Sequence, residues 1–239
     1  KAGIKLHTVI TDMLPKCVIL TEAKVPDIQV GKTLQIDPGD LFIIDRGYID
    51  YVWLHSLHLK GAWFVTRLKA NACFKVIETL ENPDPDRVIA DQIICLNSKH
   101  GIDSYPDALR RVHYRDPETG KEYVFLTNRF DLSALAIADL YRQRWQIELF
   151  FKWVKQYLKI KTFYGTSRNA VLIQIWTAMI AYLLLVWLKI KSTINIGILE
   201  LTRLVQTMLM ERRSLWEIIC PKKRPPNNQM ALFNFCAGH

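Results

Sequence analysis

The 239-residue chain is 50% hydrophobic and 23% charged, which excludes a disordered chain and leaves room for one sizeable core, or for one domain carrying an insertion. Its net charge of +9 is unevenly placed: residues 1–140 hold 17 Lys and Arg against 19 Asp and Glu, and residues 141–239 hold 15 against 4. The C-terminal part therefore suits a polyanion, with nucleic acid ahead of an anionic membrane surface, and the five scattered cysteines, lacking any Cys-x-x-Cys pair, exclude a zinc site of that type and fit reduced thiols in the cytosol.

The chain opens without Met or signal peptide in a strand-like run, Lys1–His7, which reads as the continuation of a longer domain. Leu6–Ile10 and Cys17–Thr21 are β-type runs around Asp12 and Pro15, and predict a hairpin. Pro26–Pro38 is polar and predicts a loop or short helix. Leu41–Ile44 is a short apolar run, as for a strand buried on both faces, and it ends in Asp45-Arg46-Gly47-Tyr48. Asp50–Leu59 reads as a helix ending near Gly61, and Ala62–Leu68 as a strand. His55 and His58 on that helix have no evident partner and count as surface or packing residues.

Residues 69–128 change character. Four prolines, at 83, 85, 106 and 117, separate β-type pieces at Phe74–Ile77, Arg87–Leu96, Leu109–Tyr114 and Tyr123–Thr127, which predicts a β-rich insertion. From Ser133, a good N-cap, one helix is predicted to about Ile160. A loop with Gly165, Thr166 and Ser167 precedes an apolar helix, Ala170–Lys191. Its Val171–Leu188 core is long enough to span a bilayer, but a fully buried core helix is the favoured reading, with Trp176 and Trp187 in the core. Trp63 belongs to a core strand, and Trp145 and Trp153 flank the Ser133 helix. Ile198–Met210 forms a last amphipathic helix. Residues 221–239, with Lys222-Lys223-Arg224, lack apolar periodicity and read as a solvated tail.

On a helix at about 100° per residue, Tyr141, Arg144, Glu148 and Lys155 fall on one narrow stripe beside Lys152 and Lys159, apart from the apolar arc of Leu140, Ile147, Phe150, Phe151, Val154 and Leu158. One carboxylate thus lies among basic residues on an exposed or cleft-facing side. The ordinary alternative is a pair of i,i+4 ion pairs, Arg144–Glu148 and Glu148–Lys152, each worth a few tenths of a kcal/mol. The functional reading is a carboxylate that holds a divalent ion, with neighbouring cations that hold phosphates.

The spacing Tyr-x2-Arg-x3-Glu-x6-Lys, filled by Tyr141, Arg144, Glu148 and Lys155, resembles the signature of the IS-four group of insertion-sequence transposases, of the DDE class. Lys1–His7, Ile44–Tyr48, and Gly165-Thr166-Ser167 followed by Asn169-Ala170 also resemble that group, so the likeness runs from Lys1 to about Leu188. It implies an α/β, RNase H-like catalytic core, here N-terminally truncated, with a β-rich insertion and C-terminal helices. Residues 1–68 would be the first part of the core, 69–128 the insertion, 129–220 the helical remainder and 221–239 a disordered tail. By the resemblance, Asp45 is the second catalytic Asp and Glu148 the catalytic Glu, ligands of Mg²⁺ or Mn²⁺ in a two-metal site of the complete protein. Tyr141, Arg144 and Lys155 would grip transposon-end DNA, with Lys152 and Lys159 beside them. The partners implied are double-stranded DNA and a second subunit in a synaptic homodimer; no membrane is expected, and the location is the bacterial cytoplasm, at the nucleoid. The family's first Asp has no counterpart, Asp12 being a poor substitute in its turn. The chain alone is therefore expected to bind DNA without cutting it. Another RNase H-like nuclease and a non-catalytic DNA-binding remnant are the alternatives.

Overall fold

The computed structural model describes residues 4–11, 14–82, 84–157, 164–165, 167–192 and 196–208. The expectations for Asp12, Lys159, Thr166 and the 221–239 tail lie outside the described residues. The chain divides into two compact units, Lys1–Phe151 and Lys152–His239.

The first unit opens with an antiparallel hairpin, β1 (Ile4–Thr11) and β2 (Leu14–Glu22), followed by a one-turn helix α1 (Asp27–Gly31). A six-stranded mixed sheet comes next. Its strands are β3 (Leu41–Ile44), β4 (Trp63–Arg67), β5 (Phe74–Thr79), β6 (Val88–Leu96), β7 (Leu109–Arg115) and β8 (Glu122–Thr127), in the spatial order β3-β4-β8-β7-β6-β5. β3 and β4 are parallel and the remaining neighbours antiparallel. The parallel step requires a crossover, and helix α2 (Tyr51–Leu59) supplies it. Asp50 starts α2 by accepting from Trp53 N at 2.8 Å, the usual way of satisfying an orphan amide at a helix start.

Residues 74–127 belong to the same sheet as β3 and β4, since β8 pairs directly with β4. The change of composition near residue 69 therefore marks no break in hydrogen bonding. β3 is an edge strand, yet it is covered on both faces as expected: Ile44 and Phe42 pack against one core, and Leu41 and Ile43 against the other, with only Ile44 fully buried. Helix α3 (Lys99–Ser104) escaped the sequence reading. Its Gly101 and short length hid it, although Ser98 caps Gly101 N at 3.0 Å.

Alternation along the strands sends side chains to two cores. Phe64, Leu126 and Leu109 pack with Trp53, Leu54 and Leu57 of α2 on one face. Val65, Phe125 and Val112 pack with Ile137, Ala138 and Tyr141 on the other, under helix α4 (Ala134–Gln143). Two polar clamps fix the entry to α4. Buried Asn128 accepts from Phe64 N and donates to Ala62 O, each at 2.9 Å. Arg110, 4% exposed, makes a bidentate pair with Asp91 at 2.8 and 2.6 Å and donates to Leu132 O at 2.5 Å.

The single helix expected from Ser133 to about Ile160 is two: α4, capped by Ser133, and α5 (Trp145–Tyr157). Arg144 separates them. Its amide bonds Tyr141 O, and its carbonyl receives Ile147 N, each at 3.1 Å and three residues apart. The turn tightens there without Pro or Gly, a local 3₁₀ step that side-chain periodicity does not register.

The second unit contains the end of α5, the 24-residue helix α6 (Arg168–Lys191), capped by Ser167, and α7 (Ile198–Met208). α6 is long and apolar enough to cross a membrane by length and composition, and 39% of its most apolar window is buried. The fully buried core helix expected here is corrected. Ile175, Met179, Tyr182 and Val186 are buried, whereas Ile173, Trp176, Ile180, Leu184 and Trp187 are exposed. A helix that is apolar all round carries no amphipathic signal to say which face will pack.

Candidate active site

β3 delivers Asp45 to the end of the sheet. Asp45 is extended (φ −73°, ψ 154°) and starts a single 3₁₀ turn, Arg46–Tyr48, with Tyr48 N bonded to Asp45 O at 3.0 Å. Its side chain is exposed, and no residue bonds the carboxylate among the described residues. A second acid lies close by: a Cβ at Gly47 would be 3.5 Å from Asp27 Oδ2 and 4.0 Å from Asp45 Oδ2, ordinary contact distances. Asp27 itself is held by Lys5 at 3.0 Å. The two carboxylates bear on Tyr48, whose phenol is pushed up to about 12, mainly by burial and then by Asp27 and Asp45. Asp27 escaped the sequence reading because it lies on a one-turn helix well before Asp45.

Glu148 lies in the first turn of α5, half-exposed, and accepts from Arg144 NH2 at 2.6 Å. Arg144 is the meeting point. Burial opposes its charge, but Glu148, Tyr141 and Asp45 together outweigh that and hold its pKa above the ordinary value. The carboxylates of Asp45 and Glu148, far apart in sequence, therefore act on one guanidinium.

Tyr141 departs from the expected exposed stripe. It is 7% exposed and packs against Phe125, ring centroids 4.9 Å apart. The tightened turn at Arg144 places Tyr141 over the sheet rather than beside Glu148. Arg144 lies over the Tyr141 ring, 5.5 Å from its centroid. Tyr141 Oη and Arg144 Nε are both buried without a hydrogen-bond partner among the described residues. Burial raises the Tyr141 pKa; Arg144 opposes the rise, Asp45 adds to it, and Arg67 opposes it again. Two orphaned polar atoms beside two carboxylates are costly to maintain and mark a place prepared for a polar ligand.

Lys152 and Lys155 are exposed and belong to the second unit; Lys159 lies outside the described residues. Arg67, at the end of β4, was missed. A lone Arg closing a strand carries no sequence signal; only the parallel pairing of β3 with β4 brings it level with Asp45.

Asp45 and Glu148 offer the hard carboxylate oxygens that Mg²⁺ takes. Among the described residues, however, no three carboxylate, imidazole or thiolate groups come together to enclose an ion. The pair fits two corners of a metal site, and Arg144 already engages one of them.

A cavity of about 990 Å³ lies in the second unit against α6 and is lined by Trp153, Ile173, Leu185, Trp187 and Val205, with no charged side chain. It lacks the groups phosphodiester chemistry needs, and size does not make it the site. Trp153 is buried there and donates to Thr202 at 2.9 Å; Trp145 and, contrary to expectation, Trp176 and Trp187 are exposed. His55 and His58 do have partners: His55 Nε2 meets Asp107 Oδ2 and His58 Nδ1 meets Tyr105 Oη, both at 2.9 Å. Those partners come from beyond α3, out of reach of local reading.

Residues 1–184 match a family model described as a transposase DDE domain. The chain is 39% identical over 243 aligned positions to a Sinorhizobium fredii protein named as a transposase, covering 99% of this chain and 67% of that one. It is 34% identical over 204 positions to a Geobacillus stearothermophilus protein named as a transposase for an insertion-sequence element, covering 83% and 53%. A third relative, from Synechocystis and named likewise, is 26% identical over 221 positions, covering 89% and 60%. The chain thus spans between about half and two thirds of the length of these relatives.

Proposed function

The chain belongs to the transposase DDE-domain family, whose fold is RNase H-like, and from that premise we propose that it serves an insertion-sequence DNA transposase that cuts and joins DNA strands with divalent metal ions. The observation that carries this reading is the Glu148 carboxylate held by Arg144 at 2.6 Å, with Asp45 at the end of β3 acting on the same guanidinium through its charge. Asp45 and Glu148 would hold Mg²⁺ or Mn²⁺, which would supply Lewis-acid activation of the attacking hydroxyl and stabilise the leaving oxygen.

The chain's own residues do the rest. Asp45, on the end of a strand, fixes the direction from which the reacting phosphate is met. Arg144 moves from Glu148 to a phosphate oxygen, and so frees the carboxylate as the DNA arrives. The Tyr141 hydroxyl, buried beside Arg144 and without a well-formed hydrogen bond among the described residues, bonds the same phosphodiester. Lys152, Lys155 and Lys159 follow the DNA backbone, which fixes register without reading sequence. Two copies acting on nucleoid DNA would bring two ends together.

Among the described residues no three carboxylate, imidazole or thiolate groups come together to hold an ion, and this favours a second statement: the 239-residue chain by itself binds DNA and does not cut it. Purified chain is expected to shift a DNA duplex, to lose affinity steeply as KCl rises, and to leave the duplex intact with Mg²⁺ or Mn²⁺. Metal-dependent nicking would overturn the claim of inactivity. No binding at low salt would overturn the DNA reading altogether.

A further inference from the structure

The first unit holds nine arginines. Six pair with a carboxylate: Arg87, Arg110, Arg115, Arg129, Arg142 and Arg144. Arg111 bonds Gln92 and lies over Phe74. Arg46 and Arg67 remain, without an ion pair or side-chain hydrogen bond among the described residues. Both stand at the same place. Arg46 follows Asp45 in sequence, and Arg67 follows Thr66, which pairs with Ile44 in parallel register, so Asp45 and Arg67 leave neighbouring strands at one level.

The two arginines differ in how they are held. Arg46 is exposed and free to be solvated. Arg67 is half-buried, on the face of β4 that Val65 shares with α4. Its guanidinium lies over Tyr123, 5.1 Å from the ring centroid. Tyr123 stacks on Phe125 at 6.1 Å, and Phe125 on Tyr141 at 4.9 Å. This aromatic row seats the Arg67 guanidinium at the end of β4, level with Asp45 at the end of β3. The Tyr141 phenol registers both charges, Asp45 raising its pKa and Arg67 lowering it.

A half-desolvated guanidinium with no counter-ion is an unfinished interaction. Its planar fork matches a phosphate or carboxylate, and nothing in this unit supplies one. We propose that Arg67 is a phosphate-binding residue, clamping the phosphodiester that lies against Asp45 from the side opposite Arg144. This rests on the DNA-processing reading and adds to it a residue outside the Tyr-x2-Arg-x3-Glu-x6-Lys signature. Arg67 neutralises phosphate charge while leaving Asp45 unpaired and available for a cation.

The test is binding of a fluorescein-labelled random-sequence DNA duplex to the 239-residue chain, measured across a KCl series in EDTA. Arg67→Met keeps an unbranched side chain of similar reach and removes the charge; Arg67→Lys restores a charge without the fork. Arg67→Met is expected to weaken binding about tenfold and to reduce the slope of log K against log salt by about 1. Arg67→Lys should recover the slope and part of the affinity. Arg115→Met, which removes an arginine already paired with Glu122 at 3.0 Å, should leave both unchanged. Unaltered affinity and slope for Arg67→Met, with the unsubstituted chain binding normally, would overturn the role given to Arg67. A drop in affinity with no change of slope would also overturn it, since that is what a packing defect gives. Failure of the unsubstituted chain to bind would instead remove the DNA reading beneath it.

Discussion

The Tyr141 hydroxyl separates stability from function at a single atom. A buried hydroxyl without a partner loses its water and gains nothing in return, so removing it leaves the fold unharmed or better. Tyr141→Phe keeps the ring against Phe125 and is expected to match or exceed the parent in stability, by up to about 1 kcal/mol in urea denaturation. The same variant should bind DNA more weakly if the hydroxyl meets a phosphate. A loss of more than about 1 kcal/mol would mean that the hydroxyl has a structural partner, and its place in the site would fall. Arg144 and Glu148 give the complementary lesson. Their spacing is legible in the sequence, and so is their ion pair, which is an ordinary feature of a helix surface. What the sequence could not disclose is Asp45 acting on the same guanidinium, because only the parallel crossover through α2 and the return along β8 bring that carboxylate to the start of α5.

At the level of elements, legibility follows how local the cause is. The hairpin, β3 to β8, α2 and the capped starts of α4 and α6 were readable, since β-type runs, Asp50, Ser133 and Ser167 act within a few residues. The break at Arg144 was not, because no Gly or Pro marks it, and a wheel drawn across it put Tyr141 on an open stripe. α6 shows the limit differently: every face is apolar, so composition fixes that it is a helix and leaves its buried side undetermined. The structure assigns that side, and two matched truncations test the assignment. Ile175 is 4% exposed and Ile180 58%. Ile175→Ala should cost about 2–4 kcal/mol through lost burial and a cavity, whereas Ile180→Ala should cost less than about 1 kcal/mol, as for a surface position. Both are readable from urea denaturation. Equal losses would mean that the exposed face of α6 is covered in the folded protein.

For the molecule as a whole, positive charge gathers in residues 141–239, while Asp45 stands at the end of the sheet. The turn holding Asp45 is tied to the hairpin by one buried imidazole. His7, 6% exposed, bonds Tyr48 Oη through Nδ1 and Thr21 Oγ1 through Nε2, each at 2.9 Å. Burial lowers its pKa, with Asp27 opposing and Lys5 reinforcing the effect. A histidine with a depressed folded pKa is neutral in the native state at a pH where the unfolded chain has begun to take up a proton. Its contribution to stability is therefore complete above the unfolded value of about 6.5 and is lost as the pH falls through the lower folded value. The depressed carboxylates, Asp50 among them, held by Lys32 and Trp53 N against the cost of burial, behave with the same sign but in a lower window, below about 4. The two effects separate on a pH axis. Urea midpoints measured from pH 7.5 down to 5 should fall for the parent chain, and His7→Gln, which can bond both hydroxyls without titrating, should flatten that decline. A parent midpoint constant over this range would mean that His7 keeps its ordinary affinity for the proton, and that the tie between the hairpin and the Asp45 turn survives acidification.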